Sequence, residues 1–236
     1  MDILQQMQGT EFWIGLLKII WINIILSGDN AVVIALAARA LPPEQQRKAI
    51  FWGTAAAVFL RVALTVVAAK LLEQPYLQIV GGLLLLWIGV QLLGDDDGGE
   101  GESKHHGSLF SAIRTILIAD LVMSLDNVIG VAAAANGNVT LLVIGLAIAI
   151  PIVIFGSTLM IKLMERFPII VTVGAGLIGW VAGEAIASDK VLRAWFPDHS
   201  LQFYLAAAVG AAFVIAVGKF IQRRNAAQNA TQKSAA

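Results

Sequence analysis

The sequence predicts an all-α integral membrane protein of about seven transmembrane helices: two inverted three-helix repeats plus a C-terminal helix. Three observations carry this. First, 58% of the 236 residues are hydrophobic and 14% charged, with a mean hydropathy of +0.79, whereas a soluble domain sits nearer half apolar and a quarter charged. Second, seven stretches approach the roughly 20 mostly apolar residues that a spanning helix needs. Third, a polar motif inside the first of these stretches returns inside the fourth.

The stretches run over Phe12–Ala38, Ile50–Leu71, Tyr76–Leu93, Leu109–Ala135, Val139–Met164, Pro168–Ser188 and Leu201–Phe220. Met1 to Thr10 carries Asp2 and neither Lys nor Arg. A secretory signal needs a positive n-region, so the first stretch is expected to be a retained span. Residues 41–48, with a double proline and charges, read as a loop, and Asn136–Asn138 and Glu165–Pro168 read as tight turns. The long connection is acidic and Gly-rich, with Asp95, Asp96, Asp97, Glu100 and Glu102 before Lys104, His105 and His106; that composition predicts a solvated linker. The chain thus divides into 1–93 (first repeat), 94–108 (cytoplasmic linker), 109–188 (second repeat), 189–221 (outer loop and seventh helix) and 222–236, an Ala/Gln/Asn-rich tail expected to be disordered.

The recurring motif reads Asn-Ile-Ile-Leu-Ser-Gly-Asp-Asn-Ala-Val-Val-Ile-Ala at 23–35 and Asp-Leu-Val-Met-Ser-Leu-Asp-Asn-Val-Ile-Gly-Val-Ala at 120–132. Asn23 and Asp120, Ser27 and Ser124, and Asp29 and Asp126 each lie 97 residues apart. A second correspondence pairs Gly81, Trp87 and Gln91 with Gly174, Trp180 and Glu184, each 93 apart. Spans 1–3 therefore resemble spans 4–6 at their first and third helices, while the second pair aligns poorly. Three is odd, so the halves enter the membrane in opposite senses, as in inverted-repeat transporters.

Orientation follows from the basic residues near the span ends. With the N-terminus outside, the inner side receives Arg39, Arg47, Lys48, Lys104, Arg114, Lys162, Arg166, Lys219, Arg223, Arg224 and Lys233, and the outer side Lys18, Lys70, Lys190 and Arg193. The predicted location is a bacterial cytoplasmic (inner) membrane, with the C-terminus cytoplasmic.

A carboxylate at membrane depth is costly and marks a functional site by default. Asn23, Ser27 and Asn30 fall on one helical face, as do Asp120, Ser124 and Asn127. Asp29 and Asp126 lie about 100° from their asparagine neighbours on an ideal helix, so either the polar face is wide or the helix breaks locally. The candidate donors are Asp29, Asp120, Asp126, Asn23, Asn30, Asn127, Ser27 and Ser124. All donate through oxygen, which suits Mg²⁺, Ca²⁺ or Mn²⁺. With no cysteine in the chain, disulfides and Cys-zinc sites are excluded. Hydrogen bonding between helices would also explain the serines and asparagines; it explains the aspartates less well, since asparagine would pack without the charge.

Glu184, deep in the sixth span, is a further ligand or proton carrier, or else an acid paired with Arg61 or lying near the outer surface. Arg61, central in the second span, reads first as a counter-ion to one of the acids. Pro151 reads as a kink, Gly179-Trp-Val-Ala-Gly183 as a close helix contact, and His105 and His106 as part of a solvated charge run. The seventh span is expected to pack or to form a dimer contact.

The two motifs together, Leu26-Ser-Gly-Asp-Asn-Ala-Val-Val-Ile-Ala-Leu-Ala and Asp120-Leu-Val-Met-Ser-Leu-Asp-Asn-Val, resemble the TerC family of integral membrane proteins, in particular its YjbE-like bacterial branch. The resemblance covers all seven spans. It implies a fold similar to the LysE-type exporters and an association with manganese export and metal or tellurite resistance. It implicates Asp29, Asn30, Asp120, Asp126 and Asn127 as the cation site. Other branches tend to carry an acid where Asn23 stands, which changes the charge count here.

The expected function is a secondary transporter exporting a divalent cation, manganese first, by alternating access, with no prosthetic group. The expected partners are the metal ion, the bilayer and a second copy of the chain. The net charge is zero, which gives no signal for nucleic acid. No intramembrane zinc-protease motif, serine dyad or phosphate-binding glycine loop appears, so an enzyme is not expected. The alternatives are export of a small organic cation or amino acid, or a non-transporting membrane scaffold.

Overall fold

The structure is a computed structural model describing residues 10–72, 74–94, 108–135, 139–197 and 200–235, with side chains described outside 10–11, 22–27, 66–72, 126–135, 139 and 229–235. Among these residues there are seven helices and no strand. They are α1 (Thr10–Ala38), α2 (Pro43–Leu72), α3 (Leu77–Gly94), α4 (Leu109–Ala135), α5 (Val139–Arg166), α6 (Ile169–Ser188) and α7 (Leu201–Ala235). Five of them (α2, α3, α5, α6 and α7) contain a segment long and apolar enough to cross a membrane. The other two, α1 and α4, carry the polar motifs and reach 29 and 27 residues.

Two expectations need correction, and one open alternative is decided. The stretch 41–48 is mostly helix, because α2 begins at Pro43. Proline is tolerated at the first helical position, where no internal N–H bond is needed, and Gln45 and Gln46 donate back to the Pro42 carbonyl. The tail is helical too, since α7 runs on to Ala235. Its Ala, Gln, Arg and Lys residues are good helix formers, and extending an existing helix avoids the cost of nucleation. Finally, α1 and α4 are unbroken through both Asp-Asn motifs. The polar face is therefore wide, with Asp29 and Asn30 projecting about 100° apart. The acidic linker with His105 and His106 lies outside the described residues, as does the 136–138 turn.

Close contacts at glycines fix the helix directions. A methyl group added at Gly53 of α2 would lie 2.8 Å from Ile116 Cδ1 of α4. Further along both helices Arg61 bonds Ser124, so α2 and α4 run side by side in the same direction. Likewise Gly145 of α5 receives Ile19 of α1, and Gly156 approaches Ala31; α1 and α5 are parallel. Helices α3 and α6 are antiparallel, with Gly82 against Ile186 and Gly89 against Ile178. The main apolar core gathers Val33–Ala38 of α1, Leu85 and Ile88 of α3, Ile116–Met123 of α4 and Ala175–Ala182 of α6.

Helix α7 packs on α6 and α3. Along the α6–α7 seam Gly179 lies against the Gly210 carbonyl and Gly183 against the Ala206 carbonyl. The small-residue pattern thus makes the close backbone approach expected of it. On several helices large apolar side chains, such as Trp13, Phe59, Trp87, Phe155 and Phe213, are exposed. Such exposure suits a lipid-facing surface, because lipid tails are as apolar as the side chains.

Candidate cation site

Helices α1 and α4 pack against each other, which brings the elements carrying the two motifs together in the apolar core. Asp29 is half-buried and Asn30 buried. The backbone N–H of Asn30 donates to Asp29 Oδ1 at 2.8 Å, and the N–H of Asp29 itself also faces the carboxylate. Among the described residues no cationic side chain pairs with Asp29. A side chain at Gly28 would meet nothing within 4 Å, so the residue next to Asp29 borders open space. Asp29 is therefore a partly exposed carboxylate set among apolar packing.

In the second half a buried network holds the acid. Arg61 of α2 and Asp120 of α4 form an ion pair, Nη2 to Oδ1 at 2.6 Å, and are 6% and 7% exposed. Arg61 Nε donates to Ser124 Oγ at 2.9 Å, and the Ser124 hydroxyl donates to Asp120 Oδ2 at 3.2 Å. Both Asp120 oxygens are thus engaged. Arg61 is a counter-ion to one of the acids, and that acid is Asp120. Both groups lie within electrostatic reach of Asp29. The side chains of Asn23, Ser27, Asp126 and Asn127 lie outside the described residues, although the backbone at all four positions is helical.

Glu184 sits four residues before the end of α6, where its Oε1 accepts a hydrogen bond from Trp180 Nε1 at 2.8 Å. Among the described residues its partner is this indole and not Arg61. No cluster of three or more acidic or histidine side chains forms among the described residues, so Asp29, Asp120 and Glu184 do not converge on one point.

Two polar residues went unnoticed in the sequence. Asp189, 1% exposed, follows α6 and reaches the start of α3. Its Oδ1 accepts from the N–H groups of Tyr76 and Val191, and its Oδ2 from those of Gln78 and Ile79, at 3.0–3.3 Å. This is a helix N-terminal cap supplied from more than 100 residues away. Asp in a loop at a span end has the composition of any surface turn, so nothing local announces it. Thr54, 2% exposed, buries a hydroxyl with no partner among the described residues. It lies seven residues before Arg61 on α2, on the same helical face.

The chain matches the integral membrane protein TerC family over residues 8–226. It belongs to that family. Among its relatives, the membrane protein YjbE of Bacillus subtilis (strain 168) is 44% identical over 216 residues, covering 90% of this chain and 97% of YjbE. The UPF0053 inner membrane protein YoaE of Escherichia coli (strain K12) is 26% identical over 234 residues; these cover 91% of this chain but 44% of YoaE. Membrane protein YkoY of B. subtilis (strain 168) is 26% identical over 189 residues, covering 72% of this chain and 58% of YkoY. No solved structure matches the chain. This TerC-family chain is an integral membrane protein, and its resemblance to that family is established over nearly its whole length.

Proposed function

We propose that this TerC-family protein is a secondary transporter that exports divalent metal cations, manganese first, with the cation held between the Asp-Asn motifs of α1 and α4. The observation that carries the reading is the pairing of these two helices in the apolar core, with Asp29 accessible beside the open space at Gly28. An accessible acid at membrane depth marks an ion pathway. The donors are all oxygens, matching a hard divalent ion. Asp29, Asn30, Asp126 and Asn127 form the proposed ligand set, with Ser27 and Asn23 on the same helix as Asp29. Asp120 and Ser124 support the site through Arg61. Glu184, hydrogen-bonded to Trp180, is left out of it.

Alternating access by two inverted repeats fits the contacts. Ile19 and Ile116, 97 residues apart, each seat on a glycine of the neighbouring helix, Gly145 and Gly53. Those glycines lie 92 residues apart. At the same offset, Thr65 Oγ1 donates to the Arg61 carbonyl and Ser157 Oγ to the Val153 carbonyl. These contacts support a repeat register for the second helix pair, which aligns poorly by sequence. In this reading the repeat has α1 and α4 crossing in opposite senses, and the basic-residue bias favours an outside N-terminus and a cytoplasmic C-terminus.

Transport is tested with purified protein in liposomes loaded with a Mn²⁺-sensitive dye. Mn²⁺ flux is expected for the unmodified chain and is expected to fall at least about tenfold in Asp29→Ala and in Asp126→Ala. Normal flux in both variants would remove the site assignment, and absence of flux for every divalent cation tried would remove the function.

A further inference from the structure

The two half-junctions are built alike but differ in one polar pair. Where α4 meets α2, Ile116 seats on Gly53; one turn beyond Ile116 comes Asp120, and eight residues beyond Gly53 comes Arg61. Where α1 meets α5, Ile19 seats on Gly145; the residues at the same distances are Asn23 and Val153. One junction thus has an acid and a base where the other has an amide and an aliphatic residue. Arg61 and Asp120 are bonded to each other and buried together.

We propose that Arg61 is a charge-setting positioning residue for the cation site: it is a tethered cation that cancels the extra acid, Asp120, which the second half carries and the first lacks. The inference rests on the cation-transport reading above. Asp29, Asp120 and Asp126 contribute three negative charges and Arg61 one positive, leaving two (3 − 1 = 2). That matches a divalent ion. Charges inside a membrane protein occur paired for this reason, since an unbalanced one is costly. Removing one partner of a buried pair leaves the other uncompensated, whereas replacing both with uncharged groups can be neutral. The first half already shows the uncharged solution at Asn23 and Val153.

The test is a double-mutant cycle on the full chain in lipid nanodiscs, using Asp120→Asn, Arg61→Val and both together, the last copying the residues of the other half. Mn²⁺ binding is titrated by the loss of its free-ion electron paramagnetic resonance signal, and Mn²⁺ flux is measured in liposomes. Asp120→Asn removes the acid that offsets the Arg61 charge and leaves one more positive charge in the count, so the Mn²⁺ Kd is expected to rise about tenfold, the effect of roughly one lost charge-assisted bond. The double variant restores the charge count and is expected to bind within about threefold of the unmodified chain, with thermal stability restored as well. If Asp120→Asn does not fold, the double variant still decides. A folded double variant that binds Mn²⁺ tenfold more weakly overturns the proposal, as does an Asp120→Asn protein that binds normally. A purely structural pair would lower stability or kcat without this reversible shift in Kd. If the unmodified chain binds no Mn²⁺ or other divalent ion, the transport reading itself falls and this one with it.

Discussion

Asp189, at the end of a span, and Asp29, within one, are both acids on or beside membrane helices, and the fold treats them in opposite ways. Asp189 takes four backbone N–H groups from two segments and is buried. Its charge is dispersed over donors that would otherwise be orphans at a helix start. Among the described residues Asp29 takes the N–H groups at its own position and the next, stays half-buried, and has open space at its neighbour Gly28. The first arrangement is complete and holds α3 to the end of α6. The second has room for a further partner on its open side. Asp120 stands between them: buried and satisfied, but by a side-chain cation instead of the backbone. How a carboxylate is satisfied thus separates structural acids from the proposed ligand better than its depth does.

The comparison breaks most visibly at Asp29. Asp29→Ala is expected to cut Mn²⁺ flux by about 10–100-fold, since one charge-assisted bond is worth about 1.5–3 kcal/mol and each 1.4 kcal/mol is tenfold. Its unfolding temperature in detergent is expected to stay close to that of the unmodified chain. A large drop in that temperature with unchanged flux would reverse the roles assigned to the two acids.

Asp189→Ala is the mirror experiment. Four N–H groups lose their acceptor, and with unsatisfied buried donors costing about 1–3 kcal/mol each, discounted for water at the helix end, the expected loss is about 2–4 kcal/mol. Flux per folded molecule is expected to be unchanged. Tryptophan-fluorescence melts alongside the liposome assay check both halves of this statement.

Gly183→Leu probes the seam that carries α7. A side chain there meets the Ala206 carbonyl and the Ala207 Cα at 2.6 Å, which is rigid backbone. Overpacking of this kind costs about 1–3 kcal/mol. Melting and limited proteolysis are expected to show α7 loosened first.

The smallest effect is expected at Tyr76, whose φ of 67° is the positive value recorded for a non-glycine residue among the described residues. Its ring is exposed, so little packing is lost on replacement. Tyr76→Gly relieves a left-handed strain of about 1 kcal/mol but loosens the unfolded chain by a similar amount, so stability is expected to move by less than about 1 kcal/mol. A larger loss would mean that the Asp189 cap depends on this residue for more than its N–H.

The sequence by itself determined the membrane class, the positions of the helices, the two Asp-Asn motifs and the small-residue contact at Gly179 and Gly183. Each of these is a local property: hydropathy, spacing on one helix, or the absence of a side chain. Even the choice of Arg61 as a counter-ion was legible, because a buried guanidinium must pair with something. The tertiary structure decided which acid it pairs with, since Asp120 is brought to Arg61 only when α2 and α4 lie side by side in the same direction. It decided that α1 stays helical through Asp29, that Glu184 turns to Trp180, and that Asp189 caps a helix whose start is more than 100 residues earlier in the chain. Composition misjudged the tail and the 41–48 loop because a proline at the first helical position and a polar extension of an existing helix are both compatible with helix. The partners of a buried charge are set by packing across helices, and no spacing along the chain encodes that.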